Sequence, residues 1–156
     1  MYRNHGHETA SRRQRIPPRT AATTDFGGMP FVVDITKATL NNNTFRTALW
    51  SGTYLQLTLM RIDPGDDIGL EDHSHIDQFL CIQEGWGLVQ MGDNKDNLRI
   101  VHPVYQDTAI FVPAGTWHNL TNTGDIPLML YSIYAPPSHP FSTVHQTKEI
   151  AEASDH

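Results

Sequence analysis

The sequence predicts an all-β protein: antiparallel sheet closed as a jelly roll or barrel, preceded by an extended arm. Three observations lead there. Short runs rich in Thr, Val, Leu, Ile and aromatics recur along the chain with almost no helical period between them. Turn residues separate these runs at Pro64-Gly65-Asp66, Gly92-Asp93-Asn94 and Pro113-Ala114-Gly115. Ten prolines and eleven glycines in 156 residues suit many turns and short strands, as closed antiparallel architectures require.

In chain order, residues 1–30 hold no sustained period and contain Pro17-Pro18 and Gly27-Gly28, which reads as an extended arm. Phe31–Ile35 reads as a short strand and Thr36–Leu40 as one helical turn stopped by Asn41-Asn42-Asn43. Thr44–Trp50 and Tyr54–Ile62 flank Ser51-Gly52, a hairpin signal. Gln78–Gln83, Gly87–Met91, Ile100–Tyr105, Thr108–Val112, Trp117–Thr121 and Pro127–Tyr134 are the remaining strands, and Lys148–Ala153 is a short C-terminal helix. The division expected is an arm over 1–30, a barrel over 31–140 and a tail over 141–156. Tyr54, Gln56, Thr58 and Met60 share one strand face by alternation. Facing inward they would shape a pocket; facing outward they would meet a second subunit.

Composition narrows the function classes. A chain of this size is about one domain, and 38% hydrophobic with 18% charged residues fits a folded protein. The single cysteine, Cys81, excludes an intramolecular disulfide and reads as packing. No apolar run approaches the roughly 18 residues of a membrane span, so a cytoplasmic protein without a membrane partner is expected. The net charge of −6 conceals an asymmetry. Residues 1–27 carry Arg3, Arg12, Arg13, Arg15 and Arg19 against Glu8 and Asp25, a net of +3, which leaves −9 elsewhere. Without interleaved aromatics, and ahead of an acidic body, that arm is expected to lie on the body or on a partner subunit rather than on nucleic acid.

The chemistry concentrates in two places. In Gly69-Leu70-Glu71-Asp72-His73-Ser74-His75, an extended backbone would put Glu71, His73 and His75 on one face. Two imidazoles so spaced can take adjacent positions on one ion. In Pro113-Ala114-Gly115-Thr116-Trp117-His118-Asn119-Leu120-Thr121-Asn122, the tight turn aims His118 from a second strand and completes a three-histidine face. The other histidines, His139 and His145 among them, show no such grouping.

These stretches resemble the two motifs of the cupin superfamily. Pro64-Gly65, His73, Ser74, His75 and Gly85 fall on the first, and Pro113, Gly115, His118 and Asn122 on the second, so the resemblance covers roughly residues 55–135. It implies a double-stranded β-helix holding one divalent metal ion through His73, His75 and His118. The glutamate ligand of the family aligns with Gln78, and the glycine that opens the second motif aligns with Asp107. Gln78 ranks first as fourth ligand, Glu71 second, and Asp77 is a further alternative. Imidazole and oxygen ligation with open positions suits manganese, iron, nickel or zinc. The chain also resembles bacterial single-domain cupins described as mannose-6-phosphate isomerase-like.

Three functions follow as expectations. The first is a metal-dependent isomerase or epimerase of a small polar carbonyl or sugar-like substrate, with Glu71 as the base. A phosphosugar would require Arg or Lys near the pocket, for which Arg46, Arg61 and Arg99 are the candidates. The second is a metal-dependent dioxygenase with a pocket lined by Leu80, Ile82 and Phe111. The third is a non-catalytic metal or ligand binder. A homodimer is expected, exchanging residues around 28–50 or the arm.

Overall fold

The computed structural model describes residues 24–154, so the basic-arm reading of the first 23 residues lies outside the described residues. Nine strands and two short helices follow in order: α1 (Ile35–Leu40), β1 (Arg46–Ser51), β2 (Gln56–Ile62), β3 (Asp77–Glu84), β4 (Gly87–Gly92), β5 (Ile100–Val104), β6 (Ala109–Val112), β7 (Trp117–Asn122), β8 (Leu128–Ala135), β9 (Val144–His145) and α2 (Lys148–Ser154). Every ladder is antiparallel. Six strands form one sheet in the order β6-β3-β8-β2-β1-β9, and three form a second in the order β5-β4-β7. The expected jelly-roll architecture is therefore what the chain adopts.

Alternation sorts each strand into an inner and an outer face. Met60, Ile62, Leu80, Ile82, Val89, Leu120, Leu128 and Leu130 fill the space between the sheets at one end. Toward the other end the inner rows turn polar. Gln56, Tyr134 and Gln78 lie side by side across β2, β8 and β3, and Thr58, Ser132 and Leu80 form the next row. Gln56 and Thr58 are fully buried and Tyr134 nearly so, so this face of β2 points inward, whereas Tyr54 lies outside the strand and is exposed.

One expected strand is not formed. Phe31–Asp34 joins no ladder, and Val32 is almost wholly exposed. Asp34 instead caps α1, its carboxylate accepting from the Lys37 amide at 3.0 Å, and this local bond outweighs the β-propensity of Val32-Val33. None of the helices among the described residues is long and apolar enough to cross a membrane.

Two turn glycines have specific reasons. Gly85 has φ +94°, and a Cβ there would meet the Pro127 carbonyl oxygen at 2.9 Å. Gly115 has φ +80° in open space, so its demand is purely conformational. Asp107 stands where a glycine was expected and also occupies the left-handed region, at φ +66°, which Asp tolerates better than most residues.

Candidate metal centre

The backbone assembles the centre before any side chain takes part. The segment from Asp66 to His73 runs along the free edge of β7. Ile68 donates to the Leu120 carbonyl, and Glu71 and His118 exchange both amide-to-carbonyl bonds, at 3.1 and 2.9 Å. At the turn before β7, the Gly115 amide donates to the His73 carbonyl at 2.7 Å, and the Ala114 amide donates to Asp77 Oδ1 at 2.9 Å. Asn122, buried at the far end of β7, donates to the carbonyls of Ile62 and Ile126 and accepts from the Gly124 amide. Thus both ends of the His118 strand are fixed.

Three side chains converge on this frame. Glu71 Oε1 lies 3.4 Å from His73 Nε2 and 3.6 Å from His118 Nε2, and one donor atom from each residue falls within 4.8 Å of the others. Ligands roughly 2.0–2.1 Å from a tetrahedral ion stand about 3.3 Å apart, so this spacing fits a shared ion. The two Nε2 atoms are buried, and Glu71 is the polar group that faces both. His118 Nδ1 lies 3.0 Å from the Thr116 carbonyl; donating there leaves the Nε2 lone pair free for a metal. Burial pushes the Glu71 carboxyl up, but hydrogen bonding and charge from His118 and His73 outweigh it and hold the group at about 2. A divalent ion would be held by Glu71, His73 and His118.

His75 is not part of the cluster. Residues Ser74 and His75 form a turn, which breaks the alternation after His73 and leaves His75 exposed. Asp77 is committed to the Ala114 amide. Gln78 is buried on the inner face; its Nε2 donates to Ser132 Oγ at 2.8 Å, while its Oε1 has no partner. Phe111, expected in an apolar pocket, points outward and is 70% exposed, whereas Leu80 and Ile82 belong to the core.

Other polar side chains stand beside the cluster. The Tyr134 ring meets the His73 ring edge-on at 5.8 Å and the His139 ring at 5.1 Å, and His139 in turn packs on His145 at 6.1 Å. Arg46 Nη1 lies 3.1 Å from His145 Nδ1, and Arg46 is buried. So His139 and His145, which showed no grouping along the chain, are grouped in space. Gln56 Oε1 accepts the amides of Ser138 and His139 and thereby sets the His139 loop against Tyr134. Burial, then the charges of Arg46 and His145, holds His139 down at about 3. Burial chiefly raises Tyr134. Arg61 and Arg99 instead pair with Asp63 and Asp93 at the surface.

Residues 58–134 match the Cupin domain family. The chain is 56% identical over 149 residues to protein YrkC of Bacillus subtilis (strain 168), covering 96% of this chain and 80% of that one. It is 36% identical over 111 residues to a protein of Acanthamoeba polyphaga mimivirus, covering 70% and 68% of the two chains. Among solved structures, BH2720 of Bacillus halodurans superposes with a TM-score of 0.83 at 61% identity, over 83% of this chain and 98% of that one. The shared barrel, the family match and these relatives together establish that the chain belongs to the cupin superfamily.

Proposed function

We propose that the chain is a metal-dependent oxygenase of a small, polar, oxygen-rich compound, with the ion held by Glu71, His73 and His118 and Gln78 Oε1 as the next available donor. The observation that carries this reading is the donor set itself. Two imidazoles and one carboxylate around an ion with open positions are the ligation used by mononuclear non-haem iron oxygenases. Iron so bound supplies one-electron and dioxygen chemistry and asks little acid–base work of the protein. The polar inner rows of Gln56, Thr58, Ser132 and Tyr134 favour a substrate bearing hydroxyl or carbonyl groups over a bare aromatic.

The isomerase reading stands second. It is supported by the same polar interior, but it requires a base with a proton affinity near neutrality. Glu71 at about 2 and His139 at about 3 are both weak bases, so neither side chain meets that requirement. A third reading, a metal or ligand binder without catalysis, remains where neither chemistry is found.

The test is direct. Protein loaded anaerobically with Fe(II) is given hydroxy- and oxo-acids and enediols under oxygen, with an oxygen electrode and a parallel deuterium-exchange assay in heavy water. Oxygen uptake that Glu71→Ala and His118→Ala abolish is the expected result. Solvent deuterium entering the substrate without oxygen uptake would replace this reading with the isomerase.

A further inference from the structure

A backbone seam joins the ligand-bearing segment to β7. Asn122 donates to the Asp66 carbonyl at 2.9 Å, Ile68 to the Leu120 carbonyl at 3.0 Å, and Glu71 to the His118 carbonyl at 3.1 Å. The start of that segment is crowded with like charge, since Asp63, Asp66 and Asp67 fall within five residues. Lys148, the first residue of α2, lies against this start. Its Nζ donates to Asp66 Oδ1 at 3.0 Å and also to Asp67 Oδ1, and Glu152 one turn along the helix stands 3.8 Å away. The lysine side chain is 18% exposed, which sets it apart from a freely solvated surface pair. Asp67 passes the contact on. Its other oxygen, Oδ2, accepts from Asn119 Nδ2 at 3.1 Å, and Asn119 adjoins His118 on β7. One carboxylate thus joins α2, the ligand-bearing segment and the His118 strand. Burial pushes Asp67 up, but the bonds from Lys148 and Asn119 outweigh it and hold the group below the usual carboxylate range. The helix that supplies the lysine is itself anchored. Ala151 is buried in the same core as Ile68 of the segment, and the Gln146 carbonyl, two residues before α2, accepts the Phe45 amide.

We infer that Lys148 is a positioning residue for the metal centre: through Asp66 and Asp67, the C-terminal helix clamps the segment that presents Glu71 onto the strand that presents His118. The inference rests on the metal reading for its consequence, while the clamp itself does not. Lys148 touches none of the three donors and acts through the seam. Without its charge the adjacent carboxylates repel each other uncompensated, the seam opens more often, and Glu71 moves away with it. The closed centre keeps its geometry, so the effect falls on how often the seam opens and hence on how fast a bound ion escapes.

The test is amide hydrogen exchange on the full metal-free chain, read at Ile68, Glu71 and Asn122, together with the rate at which a chelator strips Mn(II) from the loaded protein. Lys148→Met keeps the stem and removes the charge. It is expected to speed exchange at those three amides by roughly fivefold, and metal release by a similar factor, with the amides of β3 and β8 unchanged. Lys148→Arg is expected to restore both rates. Asp67→Asn, which keeps the side-chain shape, is expected to match Lys148→Met, and the two together to do no more than either alone. That second variant keeps the test sound if Lys148→Met fails to fold. Faster exchange confined to α2, or an equal rise in every strand, overturns the inference and leaves Lys148 an anchor of its own helix. Faster exchange at the seam with unchanged metal release overturns the positioning role. If the natural chain takes up no Mn(II), the metal reading fails, and exchange at the seam alone decides the clamp.

Discussion

The Gly115 amide donates to the His73 carbonyl at 2.7 Å, so the turn that aims His118 is fastened to the segment that carries His73 and Glu71. The glycine is needed for its φ of +80° and not for space, since nothing lies within 4 Å of where a Cβ would be. Gly115→Ala should therefore cost about 1 kcal/mol in chemical denaturation and also loosen metal binding. Gly85→Ala should cost more, because its Cβ would press on the Pro127 carbonyl oxygen, yet leave metal affinity nearly intact. Equal effects of the two on metal uptake would contradict this division.

Removing any of the three convergent donors should be felt far more than removing the neighbouring histidine. His73→Ala, His118→Ala and Glu71→Ala are each expected to lower metal affinity by a factor on the order of 100 or more, as loss of a direct ligand should exceed the 10–100-fold cost of losing an outer partner. His75→Ala should leave it unchanged, because His75 is exposed in the turn at residues 74 and 75. Elemental analysis of the purified variants checks both statements at once.

Gln78→Glu offers a carboxylate where a neutral amide oxygen now lies unpartnered. The substituted side chain can still bond the Ser132 hydroxyl, with the hydroxyl now donating. Metal binding is expected to tighten by roughly tenfold, since a charged oxygen ligand favours a divalent cation, and the apo-protein to lose stability from a second buried carboxylate. Calorimetric titration against thermal melts of the metal-free form separates the two effects. No change in metal affinity would remove Gln78 from the centre.

His139 predicts a pH dependence with a definite sign. Burial first, then Arg46 and His145, holds it at about 3 against 6.5 in the open chain. Between those values the unfolded chain binds a proton that the folded chain does not, so stability rises with pH across this window. The contribution is complete above pH 6.5 and is lost as pH falls toward 3. Melting temperatures of His139→Asn should accordingly fall less steeply than those of the natural chain between pH 6.5 and 4. Parallel curves would show that His139 is not responsible.

The strands and turns were legible because alternation and turn chemistry are local. Gln56–Ile62, within the expected Tyr54–Ile62, and Gln78–Gln83 are strands for that reason, and His118 follows a Pro-x-Gly turn that starts five residues before it. Glu71 and His73 also read as one face. His75 departs from that face one step later, because alternation holds only while the backbone stays extended, and Ser74-His75 turns. Phe31–Asp34 misled in the same way, its β-branched residues outweighed by the cap that Asp34 supplies to α1. Arg46, Tyr134, His139 and His145 carry no local signal. Register across β2 and β8 places Tyr134, and hydrogen bonds that Gln56 accepts from a loop 82 and 83 residues away place His139.

The outer edge of β1 is covered along its length by both ends of the described chain. Phe26 donates to the Leu49 carbonyl, while Phe45 and Ala48 donate to the carbonyls of Gln146 and Thr143. Asp25, buried, takes the amides of Gly27, Ser51 and Ser142, which ties the two flanking segments to each other as well as to the strand. The margin that would otherwise template strand addition is thus sealed by the chain's own flanks. A second copy cannot continue this sheet at β1 without first peeling those flanks away, so self-association of the native barrel does not proceed by extension of the sheet at that margin.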